Sequence, residues 1–179
     1  ACVNTTVSFT DQSIGLQAPG CNTPPRNIWT VAPATGWTIV SGNLGNDNGN
    51  PTNPGLWTDG SATLNLQFTT AGTYTITDLT GNSCGLHTLV RSICVEEPPV
   101  PAFTLSANTG CAPLNVTTTN TTTSPNSCLT TWQWNMSGTA STCATGPASS
   151  STSTAFQPSF LFDQPGTYTV QFRAVNSCN

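Results

Sequence analysis

A hairpin-like segment that occurs twice constrains this chain more than any other feature. Phe68-Thr-Thr-Ala-Gly-Thr-Tyr-Thr-Ile returns as Phe162-Asp-Gln-Pro-Gly-Thr-Tyr-Thr-Val, and each copy runs the same distance to an Asn-Ser-Cys ending at Cys84 and Cys178. The front ends match as well. Cys2 precedes Val7 by the same interval as Cys111 precedes Val116, and a tryptophan strand follows in both: Ile28-Trp29-Thr30-Val31 and Trp132-Gln133-Trp134-Asn135-Met136. Repetition on this scale marks two similar folding units in series. Between them lies Glu96-Glu97-Pro98-Pro99-Val100-Pro101, and a proline-rich stretch is extended and semi-rigid. The expected division is a first unit over residues 1–97, a linker over 98–101 and a second unit over 102–179.

Within each unit the apolar residues alternate in short runs: Val7-Ser8-Phe9, Leu64-Asn65-Leu66-Gln67-Phe68, Tyr74-Thr75-Ile76 and Tyr168-Thr169-Val170-Gln171-Phe172. A period of two, rich in Thr, Tyr, Val and Phe and bounded by Gly, Pro and Asn, predicts strands. Helical patterning is nearly absent, so the expected class is all-β, two β-sandwiches in tandem. A long insertion from about residue 42 to 58, dense in Asn, Gly and Pro, interrupts the first unit. The two units also differ at their ends. His87-Thr-Leu-Val-Arg-Ser-Ile-Cys-Val closes the first with a final strand that the second lacks, and Phe103-Thr-Leu-Ser opens the second with a strand that the first lacks. An incomplete sandwich leaves backbone groups unpaired along an edge. The uneven ends are explained by a longer array of such units or by a strand donated from a neighbouring subunit.

Charge and cysteine content narrow the function. Only 6% of the 179 residues are charged, with no lysine and three arginines, Arg26, Arg91 and Arg173. Nucleic acid requires a row of cations to displace its counterions, so that partner is excluded. Eight cysteines in so polar a chain point to an oxidising, extracellular setting and a disulfide framework. A metal cluster is the competing use, but no C-x-x-C pair occurs and His87 is the single histidine, so neither metal nor cofactor is expected. No apolar run reaches the roughly 18 residues of a membrane helix. A secreted chain's signal is expected to be removed or to lie upstream of Ala1.

Phe103-Thr-Leu-Ser, Gly110-Cys-Ala-Pro-Leu-Asn-Val, Trp134-Asn-Met and Pro165-Gly-Thr-Tyr-Thr-Val together resemble the polycystic kidney disease (PKD) domain. The cysteine-bearing form is similar to repeats of very large surface proteins of Bacteroidetes, including gliding adhesins. The likeness covers nearly the whole chain, clearly in the second half and more loosely in the first. The acidic turn of the PKD pattern is replaced by Met136-Ser137-Gly138 in one copy and Val31-Ala32-Pro33 in the other. The resemblance implies tandem Ig-like, disulfide-stapled sandwiches, with Trp29 and Trp134 as core tryptophans. It also implies which loops share an end of each domain, and through that the pairing Cys21–Cys84, Cys2–Cys94, Cys128–Cys178 and Cys111–Cys143. Cys128–Cys143, with Cys111 left for another chain, is the rival.

Catalysis finds no foothold. The acids Asp11, Asp47, Asp59, Asp78 and Asp163 fall in scattered turns, Glu96 and Glu97 in the linker, and His87 on an edge strand without a Ser or Cys partner. Asn46-Asp47-Asn48-Gly49-Asn50 offers one carboxylate where calcium needs several oxygens, so it is read as an Asn/Gly turn. Trp37 and Trp57 flank the insertion and are candidates for stacking on glycans, or for covering the unit's own core. Asn4, Asn115, Asn120 and Asn135 begin N-x-Ser/Thr sequons. Hydroxyl-rich runs that include Thr119, Thr121 and Ser150 suit O-glycans. Without lysine, Lys–Asn isopeptide crosslinks are impossible, which leaves cystine as the covalent staple. The sequence therefore points to a non-enzymatic extracellular structural or adhesive module of a cell-surface repeat protein or filament, joined end to end to neighbouring repeats or subunits and not inserted in a membrane. The alternative is a carbohydrate-binding accessory module of a secreted protein that contacts surface glycans.

Overall fold

Alternation of apolar and polar residues becomes alternation of faces: along Thr63–Phe68, Leu64, Leu66 and Phe68 are fully buried while Thr63 is exposed. The computed structural model describes residues 1–13, 24–123, 128 and 130–179. It is all-β, its strands antiparallel, and it divides into two compact units, Ala1–Glu96 and Glu97–Asn179.

Unit 1 holds β1 (Thr6–Thr10), β2 (Arg26–Ala32), β3 (Trp37–Ser41), β4 (Thr63–Phe68), β5 (Gly72–Asn82) and β6 (Gly85–Val95). They form two three-stranded sheets, β1-β4-β3 and β2-β5-β6. Trp29 and Val31 of β2, Tyr74 and Ile76 of β5 and Val95 of β6 meet Leu64, Leu66 and Phe68 of β4 in one core. That core lies between the sheets, as in a β-sandwich. The Gly-Thr-Tyr turn works as its composition suggests. Tyr74 is 2% exposed, and its hydroxyl donates to the carbonyls of Gly36 (3.1 Å) and Thr70 (2.8 Å), so the phenol closes the loop it crosses. Gly36 sits at φ +86°, and a Cβ there would fall 2.3 Å from the Tyr74 oxygen, so no other residue fits.

Unit 2 holds β7 (Phe103–Leu105), β8 (Leu114–Asn120), β9 (Thr131–Ala140), β10 (Ser151–Ser153), β11 (Ser159–Phe162) and β12 (Gly166–Val175). Its sheets are β11-β8-β7 and β10-β9-β12. Val116, Trp134, Met136, Phe160 and Phe162 form the core. Trp134 stacks on Phe172 at 4.0 Å, and its indole N–H donates to the Ala155 carbonyl at 2.9 Å.

The repeat maps strand on strand. β1, β2, β4 and β5 correspond to β8, β9, β11 and β12, with equivalent pairings β1–β4 and β8–β11, β2–β5 and β9–β12. The differences are at the edges. Among the described residues unit 1 has no counterpart of β7; instead Cys2 bridges Glu96 in parallel at the end of β6. Among the described residues unit 2 has no counterpart of β6, and it carries the short β10 on the far side of β9. The proline-rich stretch is not a free linker. Val100 bridges Thr123, and the Asn176 amide donates to the Glu97 carbonyl, so both belong to unit 2. Glu96, read from sequence as part of an extended linker, is 3% exposed.

Cys2, Cys84, Cys94, Cys128 and Cys178 are disulfide-bonded. Cys21 lies outside the described residues. The Cys111–Cys143 bridge is not present: both are free, exposed thiols. The strand order placed them at one end of the domain, but they hang from different sheets. Cys111 sits in the approach to β8. Cys143 is held in a tight turn after β9 by Ala144 N–H to Ser141 O (3.1 Å) and its own N–H to Ser141 Oγ (3.3 Å). Sharing an end does not bring two Cβ atoms within the short span a disulfide requires.

Candidate functional site

The chemistry that sequence reading missed lies at the rim of unit 1. After β1 the chain makes one more backbone bond toward β4, Asp11 N–H to Ala62 O at 2.8 Å, which holds Asp11 at the sandwich edge. Asp78 comes from the other sheet. Tyr74, Ile76, Asp78 and Thr80 share one face of β5 by its period of two, so the inward row continues past Ile76 into a carboxyl that is 5% exposed.

A short hydrogen-bond chain ties the two acids together. Ser13 N–H donates to Asp11 Oδ1 (2.7 Å), the Ser13 hydroxyl to Thr80 Oγ1 (3.1 Å), and the Thr80 hydroxyl to Asp78 Oδ1 (3.5 Å). Burial is the larger reason that the Asp78 pKa rises from 3.8 to about 6. The neighbouring Asp11 charge and a hydrogen bond between the two carboxyls add to it, while Thr80 and Asn27 pull the other way. Two acids far apart in the sequence, Asp11 and Asp78, thus meet at this rim, and Asp78 holds its proton above the usual carboxylate range.

Asp11, with Ser13, Thr80, Asn82, Leu86 and His87 among others, lines a cavity of about 500 Å3. His87 stands opposite Thr80 in the β5–β6 ladder and is exposed. Such an arrangement can hold and release a proton. The Ser13 hydroxyl is engaged by Thr80 rather than by a base, so among the described residues no nucleophile is paired with a general base here.

This geometry gives a pH dependence with a definite sign. Below about pH 4 Asp78 is protonated folded and unfolded, and contributes nothing. Between pH 3.8 and about 6 the unfolded chain gives up the proton that the folded chain keeps, so stability falls as pH rises. The loss reaches about 2–3 kcal/mol above that window. Asp78→Asn keeps an amide able to bond Asp11 and Thr80, and is expected to flatten the profile and raise stability near pH 7. Urea unfolding at several pH values checks it; an unchanged slope in the variant would remove Asp78 as its source.

The other sequence candidates are placed as follows. Trp57 does not present a stacking face: it is 2% exposed, its indole N–H donates to Asn50 O (2.8 Å), and its own carbonyl accepts from the Arg26 guanidinium. Trp57 is the plug around which the insertion folds, ahead of which runs the 3-10 turn Pro54–Leu56. Trp37 is half-buried against the core of unit 1, with its N–H on Pro33 O. In the Asn/Gly turn, Asp47 Oδ1 accepts from Gly49 N–H (3.0 Å) and Asn46 Oδ1 from Asn48 N–H (2.6 Å). Those side-chain oxygens serve the turn itself. Asn4, Asn115, Asn135, Thr119, Thr121 and Ser150 are exposed. Asn120 is not available to a glycan: it is 8% exposed, its amide donates to Phe156 O, and its oxygen accepts from Thr122 N–H. In unit 2, Phe156 is 52% exposed and packs edge-on against Trp132 at 5.2 Å, an aromatic surface that the sequence did not single out. Among the described residues no helix is long and apolar enough to cross a membrane. No protein-family model matches the chain, and no curated protein matches it.

Proposed function

We propose that this chain is a non-enzymatic structural or adhesive module of an extracellular surface protein or filament, built of PKD-like repeats and joined end to end. One observation carries the reading: two small sandwich cores occur in a chain with disulfide-bonded cysteines, and only 6% of that chain is charged. Disulfides compensate cores too small to be secure alone and suit a part that must stay folded outside the cell. The resemblance of Pro165-Gly-Thr-Tyr-Thr-Val and its partner segments to PKD repeats supports the same reading. So do the exposed sequons at Asn4, Asn115 and Asn135, where sugars would add the repulsion that a nearly uncharged surface lacks. Electron microscopy of the native material tests it: linear assemblies are expected, and a dispersed single subunit that turns over a substrate would overturn it.

A second reading, binding of surface glycans, is favoured by the Trp132–Phe156 surface of unit 2 rather than by Trp37 and Trp57. Glycan-array binding that disappears in Phe156→Ala would support it.

A further inference from the structure

The cavity at the rim of unit 1, about 500 Å3, is of the size that encloses small molecules and is far larger than a single ion needs. Its walls are of two kinds. Asp11, Ser13 and Thr80 make a polar side, Leu86 and Leu89 an apolar one. Register explains how Leu89 comes to stand there. It lies opposite Asp78 in the β5–β6 ladder, as His87 lies opposite Thr80, and directly paired residues share a face of their sheet. That face is core around Tyr74 and Ile76, each 2% exposed, yet Leu89 on the same face is 42% exposed. An inward apolar side chain is thus open to the cavity.

The hydroxyl protons of the polar side are already engaged. Ser13 donates to Thr80 Oγ1, and Thr80 to Asp78 Oδ1. The Asp78 carboxyl, one step behind the wall, is hydrogen-bonded in turn to Asp11. Asp11 Oδ1 also accepts from Ser13 N–H. An ionised carboxylate has about four acceptor positions and no proton to give, so this wall offers a ligand acceptors rather than donors. The groups that act on Asp78 are Asp11, Thr80 and Asn27, none of them a cation. The Arg26 guanidinium is turned to the Trp57 carbonyl instead.

We propose that this cavity binds a small organic ammonium ion, with its NH3+ group on the Asp11 carboxylate and its carbon body against Leu86 and Leu89. A positive charge, several donors and an apolar body are what the two walls together complement. A bare calcium ion is a poorer match. It takes six or more oxygens, and among the described residues no group of three metal-ligating side chains gathers here. The site goes beyond the structural-module reading and does not depend on it. An ammonium beside Asp11 also favours ionised Asp78, so the proton that Asp78 keeps up to about pH 6 leaves as the ligand enters. On β6, His87 and Arg91 share this face and oppose a cation, His87 only while protonated. Loss of either proton therefore acts in one direction, and binding tightens as pH rises from about 5 to about 7.

Cyclohexylammonium and its neutral counterpart cyclohexanol test this, by amide chemical-shift titration of the whole chain. The amine is expected to bind at least about tenfold more tightly than the alcohol, with shifts around Asp11, Thr80 and Leu89. Asp11→Asn keeps an oxygen for Ser13 N–H and is expected to bring the two ligands to equal affinity. Leu89→Ser is expected to weaken both alike, which separates the apolar wall from the charge. Calorimetry in two buffers of different ionisation enthalpy is expected to show proton release with the amine at about pH 5 and none at about pH 8. Absence of amine binding overturns the assignment, as do equal wild-type affinities for amine and alcohol, or shifts confined to residues away from the cavity. Calcium chloride that displaces the amine at equal concentration also overturns it, in favour of a metal site. The structural-module reading stands or falls separately, on imaging of native material.

Discussion

Cys94→Ser is expected to lower the unfolding midpoint of unit 1 by about 10–30 °C, whereas Cys111→Ser and Cys143→Ser leave unit 2 within a few degrees of the parent. Cys94 is disulfide-bonded and sits at the end of β6, opposite Thr73 and beside the N-terminal residues that bond to Cys94 O and Glu96. A native disulfide in a small extracellular domain contributes about 2–5 kcal/mol, and in a unit of this size each kcal/mol moves the midpoint by about 4–8 °C. Cys111 and Cys143 are exposed thiols, and surface replacements of that kind stay within about 0.5 kcal/mol. Thermal unfolding of the three variants is the measurement. A Cys94→Ser protein as stable as its parent would show that the cystines are ornaments of already sufficient cores.

The same cysteines offer a direct reading of connectivity. Arg26, Arg91 and Arg173 divide the chain into four tryptic fragments. Pairing Cys2–Cys94, Cys21–Cys84 and Cys128–Cys178 would tie all four together until reduction. Release of fragment 92–173 without reduction would instead mean that Cys94 and Cys128 are bonded within it.

Strand positions and core tryptophans were legible because their signal is local. The runs at Val7, Leu64, Tyr74 and Tyr168 all lie within strands, and Trp29 and Trp134 are buried. Burial of Trp57 was not legible, because it depends on the insertion curling back so that Asn50 O meets the indole. The Asp11–Asp78 pair joins residues from opposite sheets, which no local pattern brings together, although half the signal was present: Asp78 keeps the parity of Tyr74 and Ile76 and so had to face inward. Asn120 is a similar case, since the parity of Val116 and Thr118 already put it on the buried face of β8. Cys111 and Cys143 failed for the opposite reason. Topology gives the end of a domain, and a covalent bond needs side-chain geometry that topology does not supply.

Trp134→Ala carries the second large expected effect, and it separates the two units. The side chain is 2% exposed, lies 4.0 Å from Phe172 and 5.1 Å from Phe103, and donates to Ala155 O. Truncating a buried tryptophan costs about 3–5 kcal/mol, a large share of what a unit this small can have. Trp134→Phe retains most of the packing but leaves the Ala155 carbonyl without its donor, so an intermediate loss of about 1–3 kcal/mol is expected. Because the Trp29 core draws on residues of unit 1, unit 1 is expected to keep its own transition in both variants. Calorimetry or hydrogen exchange resolved by unit checks this. If Trp134→Ala pulled Leu64, Leu66 and Phe68 into the same transition, the two cores would be one cooperative body, and the repeated hairpin would no longer mark two folding units.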